Sequence, residues 1–237
     1  MHVHADPPMS PTSLLMPRRR LLLGLGIFLA ALAVAAAVAN GWLLLLWDEP
    51  IQREVEANRN SGLDHFFLTI SRFGSTIPVL VLGCVGALAT WRRCSAVAFA
   101  LLAATLTRPL LEFSLKIVVD RSRPDFHRMV NGTGPSFPSG HVLAAVALWG
   151  LLPAVVGLYT QRRALWWASV VVAGTLILGI SASRVYLGVH WFSDVTAGLI
   201  VGTFFLLGVD TVFHRVHARY PCRLCPELIP HTVQRLP

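Results

Sequence analysis

Lysine is almost missing from this sequence: Lys116 is the single one among 20 Lys and Arg residues. Where arginine is the default, a lone lysine is either a survivor of composition or a compact point charge that the chemistry requires. Charge of any sign is scarce at 14%, which, with 54% hydrophobic residues and a mean hydropathy of +0.61, excludes an ordinary soluble domain. Cysteine is limited to 4 residues, Cys84 and Cys94 flanking one apolar run and Cys222 and Cys225 near the C-terminus, and these make no disulfide framework. Although the formal charge is +8, no extended basic stripe exists to follow a phosphate backbone, so nucleic acid is excluded as a partner.

What the chain does have is long apolar runs punctuated by short arginine clusters, the pattern of a polytopic membrane protein. The expected fold is all-α: a six-transmembrane-helix bundle, with an interfacial helical segment between spans one and two. Residues 1–20 form a cytoplasmic N-terminal tail, 21–213 the membrane domain and 214–237 a basic cytoplasmic tail. The first span is Leu21 to Trp47. Its small-residue stretch Ala35 to Ala39 resembles a signal-peptidase site, but Leu43 to Leu46 carry the apolar run past any cleavage point. The segment Asp48 to Arg72 is amphipathic and is expected to lie along the interface as a helical hairpin. The remaining spans are expected at Ile77 to Thr90, Ala96 to Val119, Val142 to Tyr159, Ala164 to Ser181 and Val195 to Phe213.

Arg18 to Arg20, Arg92 with Arg93, Arg162 with Arg163, and Arg215 with Arg219 then share one face, which the positive-inside rule makes cytoplasmic. The loops Asp48 to Arg72, Asp120 to Ser139 and Ser183 to Asp194 face outward. Their arginines, Arg121, Arg123, Arg128 and Arg184, run against that charge bias and require a separate reason.

Three polar clusters sit at those outward span ends. Lys116 and Arg123 are seven residues apart, about two helical turns, so a continuous helix would aim both cations at one anion. Arginine offers a bidentate fork to phosphate oxygens and lysine a point charge. Pro138, Ser139, Gly140 and His141 stand where a loop becomes a span; Ser139 is placed to cap that helix, and Gly140 to let backbone N–H groups approach an oxyanion. Ser183, Arg184, His190 and Asp194 form the third cluster, the carboxylate stacking over the imidazole if the segment is helical. Each cluster alone has an ordinary structural explanation: snorkelling cations, a cap, a surface pair. All three in order at one membrane face do not.

On these residues the chain resembles the type 2 phosphatidic acid phosphatase family, of the lipid phosphate phosphatase and vanadium haloperoxidase superfamily. Its three motifs appear in full as KIVVDRSRP (Lys116 to Pro124), PSGH (Pro138 to His141) and SRVYLGVHWFSD (Ser183 to Asp194). The resemblance implies that His190 attacks phosphorus to form a phosphohistidine, Asp194 orients it and His141 protonates the leaving oxygen. It implies that Lys116, Arg123, Arg184, Ser139 and the Gly140 backbone hold the phosphoryl oxygens. With Asp194 as the single carboxylate of the clusters, no metal and no cofactor is expected. The expected partners are the bilayer and a membrane lipid substrate, a prenyl diphosphate such as undecaprenyl diphosphate or a phosphatidic-acid-like lipid. A non-catalytic lipid phosphate carrier and a vanadate-dependent haloperoxidase are the competing readings. Both histidines argue against the first, the apolar spans against the second.

Three features fall outside the motifs. Arg108, Glu112 and Lys116 recur every four residues within one span, so Arg108 and Glu112 are expected to pair inside the bundle. Asn131, Gly132 and Thr133 form a glycosylation sequon. His214, His217, Cys222 and Cys225 have a spacing that could bind zinc, against the simpler reading of a basic tail.

Overall fold

The structure is a computed structural model that describes residues 44–160 and 162–219, together with Gly26 and Gly41. The expected first span, Leu21 to Trp47, lies outside the described residues apart from Gly26, Gly41 and its end, and so do the N-terminal tail and the C-terminal tail beyond residue 219. A π-helical turn, Leu44–Asp48, leads into α1 (Glu49–Ala57) and α2 (Ser61–Ser71). Asn60 caps α2, its side-chain oxygen accepting from the Leu63 N–H at 3.0 Å. A 3-10 turn, Arg72–Gly74, then joins α2 to α3 (Thr76–Trp91). The chain continues through α4 (Ser95–Val119), α5 (Gly140–Trp149), α6 (Leu152–Tyr159), α7 (Arg163–Tyr186) and α8 (Phe192–Arg219). No strand occurs among the described residues, so the all-helical expectation holds.

Four stretches are long and apolar enough to cross a membrane: Ser95–Val119, Gly140–Gly157, Arg163–Tyr186 and Phe192–His217. At about 1.5 Å per residue even the shortest reaches close to the ~30 Å hydrocarbon core. A fifth candidate is bent by 48°, Ser61–Gly74 together with Thr76–Trp91. The sequence expectation places α2 at the interface and α3 in a span of its own; the 16 residues of α3 are short for a crossing, and α2 and α3 reach the length of a span only together. The fourth expected span is likewise divided, into α5 and α6, because Pro153 lacks the N–H that would bond to the Trp149 carbonyl. The third polar return is shorter than expected, since α7 stays helical through Tyr186, and α8 runs past residue 213 to Arg219.

The helix α5 forms the centre. Val142, Leu143, Ala144, Ala145 and Ala147 are each wholly buried, as befits a helix apolar on every side. The helix α8 comes against it through Gly198 and Gly202, where an added Cβ would lie 3.0 Å from Val142 Cβ and 2.9 Å from Val146 Cβ. This small-xxx-small face lets two backbones approach closely without a polar anchor. Large apolar side chains such as Leu88, Leu110, Phe113, Val118 and Val171 are exposed instead, which marks a surface that meets lipid. The protein is a multi-pass membrane protein whose polar groups collect at one end of α4, α5, α7 and α8.

Candidate active site

The site forms where α4 and α7 end and α5 and α8 begin. The helix α4 ends because Asp120 takes a left-handed conformation (φ 39°), and it does not persist to Arg123 as the seven-residue spacing assumed. The two cations converge all the same. Lys116 Nζ donates to the Pro135 carbonyl at 3.0 Å and Arg123 Nη2 to the same oxygen at 3.2 Å, so the loop brings back what the helix does not. Arg123 also donates to the carbonyls of Gly134, Thr133 and Val189, at 2.9, 2.9 and 2.7 Å. Its Nη1 lies 3.3 Å from His190 Nε2.

His190 stands in the turn between α7 and α8, 3% exposed, with Nδ1 3.6 Å from the Asp194 carboxylate. The pair is not stacked on one helix, as the spacing suggested, because α8 begins only at Phe192. Instead Asp194 reaches back from the first turn of α8, and its Oδ2 accepts the Trp191 N–H at 2.9 Å, half of a capping box. Burial pushes the His190 imidazole down to about 4, against the pull of Asp194, so the ring is neutral at ordinary pH. Nδ1 faces the carboxylate, and Nε2 is left for chemistry beside a guanidinium.

Ser139 and His141 arrive from the start of α5. The Ser139 N–H donates to the Asp194 carbonyl at 3.2 Å, tying the second cluster to the third. Ser139 occupies the N-cap position, but its hydroxyl does not cap the helix; that buried Oγ has no hydrogen-bond partner among the described residues. Arg184 Nε and His190 Nδ1 share that condition. Such groups are costly unless a ligand completes them. His141 lies in the first turn of α5, directly after Gly140. Arg184 is fixed by donating to Ser71 Oγ at 2.6 Å, so the end of α2 also belongs to the site.

Gly140 has a different neighbour from the one expected. A Cβ there would sit 2.1 Å from Glu112 Oε1, so the absent side chain makes room for a carboxylate. Glu112 pairs with Arg108, as expected, and stands 3.5 Å from Lys116 Nζ. Arg108, which is 2% exposed, also donates to the Gly140 carbonyl at 3.3 Å.

Sequence reasoning missed Asp48 and assigned Arg121 no role. Arg121 donates to Asp194 Oδ1 at 2.6 Å and to Asp48 Oδ2 at 2.7 Å. Asp48 in turn accepts the Ser193 N–H at 2.8 Å and the Ser193 hydroxyl at 2.6 Å, an anion at the N-terminus of α8. The site therefore has three carboxylates rather than one, Asp48, Glu112 and Asp194, each held by a cation. No local signal marks Asp48, the first charge after an apolar run. The remaining arginine of those loops, Arg128, donates to the Pro124 carbonyl at 2.8 Å, so all four make structural contacts.

Comparison with known proteins bears on this arrangement. The family model for the PAP2 superfamily matches residues 96–218, which hold all three clusters. The chain belongs to the PAP2 superfamily. A Bacillus subtilis relative, phosphatidylglycerophosphatase B, is 30% identical over 200 residues, covering 80% of this chain and 95% of that protein. The crystal structure of a transmembrane PAP2-type phosphatidylglycerolphosphate phosphatase, also from Bacillus subtilis, superposes with a TM-score of 0.70 at 26% identity. It covers 81% of this chain and 96% of that one. The bovine glucose-6-phosphatase 3 is 38% identical, but over 74 residues that make up 30% of this chain and 21% of the bovine protein. The chain is thus a membrane phosphatase of PAP2 type. Asp48 and Ser71 lie before the matched stretch, so this PAP2 protein completes its site with residues from outside it.

Proposed function

We propose that this protein hydrolyses the phosphate or diphosphate ester of a membrane lipid through a phosphohistidine on His190. The observation that carries this reading is the His190 ring, neutral and buried, with Nδ1 toward Asp194 and Nε2 toward Arg123 at the polar end of a lipid-facing bundle. Nε2 attacks phosphorus in line with the leaving oxygen, and Asp194 stabilises the imidazolium character that develops on the ring. His141 protonates the departing lipid oxygen and then takes a proton from the water that cleaves the phosphohistidine. Lys116, Arg123, Arg184 and the Ser139 hydroxyl hold the equatorial oxygens, and their fixed charges do what a divalent cation does elsewhere.

The substrate class follows from where the site lies. A lipid keeps its chains against the apolar flanks while its head group enters among the cations. Phosphatidylglycerophosphate joins prenyl diphosphates and phosphatidic-acid-like lipids as a candidate, because the relative matched over 80% of this chain is named for it. Our reading of the topology has six spans, with Leu21 to Trp47 and the bent α2–α3 unit added to the four long stretches. Both termini are then cytoplasmic, and the Asp120 to Ser139 loop faces outward.

The test is phosphate release from detergent-purified protein, with chelator present, across phosphatidylglycerophosphate, prenyl diphosphates and phosphatidic acid. Release that survives chelator and vanishes in His190→Ala supports the reading. Near-normal turnover by that variant sinks the nucleophile assignment, and binding without release from any lipid favours a carrier. Labelling of a cysteine introduced in the 120–139 loop of intact cells tests the topology; labelling only after permeabilisation reverses it.

A further inference from the structure

The turn that carries His190 leaves the end of α7, and the last four carbonyls of a helix have no partner within it. Three of the four are met by the turn itself. The Ser183 carbonyl accepts the Leu187 N–H at 2.9 Å, that of Arg184 accepts the Val189 and His190 N–H groups, each at 3.3 Å, and that of Val185 accepts the Gly188 N–H at 3.0 Å. The fourth, the Tyr186 carbonyl, is met from a distant part of the chain. Arg59, in the turn between α1 and α2, donates to it from Nη2 at 2.7 Å and from Nε at 3.1 Å. A cation there also faces the negative end of the helix dipole.

The same guanidinium donates from Nη1 to the His127 carbonyl at 2.7 Å, in the loop that holds Arg123. Tyr186 is gripped by its side chain as well: the hydroxyl donates to Asp64 Oδ1 at 2.6 Å, and Phe67 packs on the ring with 4.4 Å between centroids. Gly188 presses onto this clamp. Its φ is +72°, and a Cβ there would lie 2.8 Å from the His127 carbonyl oxygen and 3.0 Å from Arg59 Nη2. Just beyond it, the Val189 carbonyl accepts from Arg123 Nη1 at 2.7 Å, and His190 follows. Arg59 therefore holds the near end of the His190 turn, and Arg123 the far end.

We propose, resting on the reading of His190 as nucleophile, that Arg59 is a positioning residue: by fixing the Tyr186 carbonyl it sets where His190 Nε2 stands relative to the phosphoryl group. Arg59 lies before residues 96–218, the stretch that the family model matches, so this clamp is supplied from outside it. Without Arg59 the fold keeps other ties to the turn, the Tyr186–Asp64 bond and the Met129 N–H donating to the Leu187 carbonyl at 3.1 Å. The loss falls on the placement of the attacking nitrogen, and a displacement of about 1 Å costs on the order of 100-fold in rate.

Full-length protein in detergent carrying Arg59→Ala or Glu56→Ala is assayed for lipid-phosphate hydrolysis, unfolding temperature, and inhibition by orthovanadate and by inorganic phosphate. Vanadate takes a trigonal-bipyramidal form bonded to the attacking nitrogen, so it reports the place of His190; phosphate needs only the cations. Arg59→Ala is expected to lower kcat by roughly 10–100-fold at nearly unchanged KM, and to weaken vanadate inhibition about tenfold while sparing phosphate inhibition. Glu56 Oε1 accepts the His127 N–H at 3.2 Å, so Glu56→Ala loosens the loop alone and is expected to keep kcat. Folded Arg59→Ala with wild-type kcat overturns the proposal, as does an equal loss of vanadate and phosphate inhibition, which is a general loosening of the site. Should Arg59→Ala not fold, Arg59→Gln, which retains a donor for one carbonyl, carries the same comparison with the same two outcomes. His190→Ala separates the failures: turnover by that variant removes the nucleophile reading, whereas its inactivity beside a fully active Arg59→Ala removes only the role of Arg59.

Discussion

Arg121 joins two buried carboxylates, Asp48 and Asp194, with 2.7 and 2.6 Å contacts from the two ends of its guanidinium. Asp194 therefore does not face His190 alone: it is held from behind by a cation that is itself fixed by a residue some seventy positions earlier. Removing Arg121 leaves both carboxylates, each 0% exposed, without a counter-charge. Breaking a buried pair in this way costs about 3–5 kcal/mol. Arg121→Leu is expected to lower the unfolding temperature in detergent and to lower kcat more than it raises KM. Asp48→Asn, which keeps the acceptor for Ser193, is expected to be milder in both. An Arg121→Leu variant with unchanged stability and rate would show that this bridge is ornamental.

The neutral state of His190 sets a pH dependence. The free side chain takes up its proton near 6.5 and the folded site holds it off until about 4, so the proposed nucleophile stays available as pH falls through that window. The acid limb of kcat/KM assigned to His190 is expected near pH 4 rather than near 6.5. Stability runs the same way: the unfolded chain gains the proton first, so folding weakens as pH drops below about 6.5. Measured pH profiles of hydrolysis and of thermal unfolding check both, and an acid limb at 6.5 would mean a solvated ring.

If His141 is the general acid, as proposed, it matters in proportion to how poor the leaving group is. His141→Ala is expected to lower the rate on an alkyl lipid phosphate by about 10²–10⁴-fold and to lower it far less on an aryl phosphate, whose oxygen leaves unprotonated. Equal losses on both substrates would assign His141 to phosphate binding instead.

Gly140 and Gly174 provide a matched pair. A methyl at Gly140 collides with Glu112, whereas at Gly174 nothing lies within 4 Å. Gly140→Ala must displace Glu112 from Arg108 and Lys116 and is expected to cost about 1–3 kcal/mol by overpacking, with a loss of rate on the order of 100-fold from misplaced cations. Gly174→Ala is expected to be neutral, or stabilising by about 0.5–1 kcal/mol through helix propensity.

Composition and spacing by themselves determined that the chain is helical and membrane-bound, and its motifs, through the family they resemble, pointed to the residues proposed to carry the phosphate chemistry. Those signals are local: an apolar run of sufficient length has no other stable solution in lipid, and a motif holds its residues within a few positions of one another. The pairing of Arg108 with Glu112 was legible for the same reason, being one helical turn. Only the tertiary structure decided how the clusters meet. The convergence of Lys116 and Arg123 runs through a carbonyl in a loop, since Asp120 ends the helix that spacing alone would have continued. The partnership of Asp48 with Arg121, the seat of Glu112 against Gly140 and the grip of Arg59 on the Tyr186 carbonyl join residues far apart in the chain. Such contacts are set by how helices pack against one another, and helix packing is read from no single stretch of sequence.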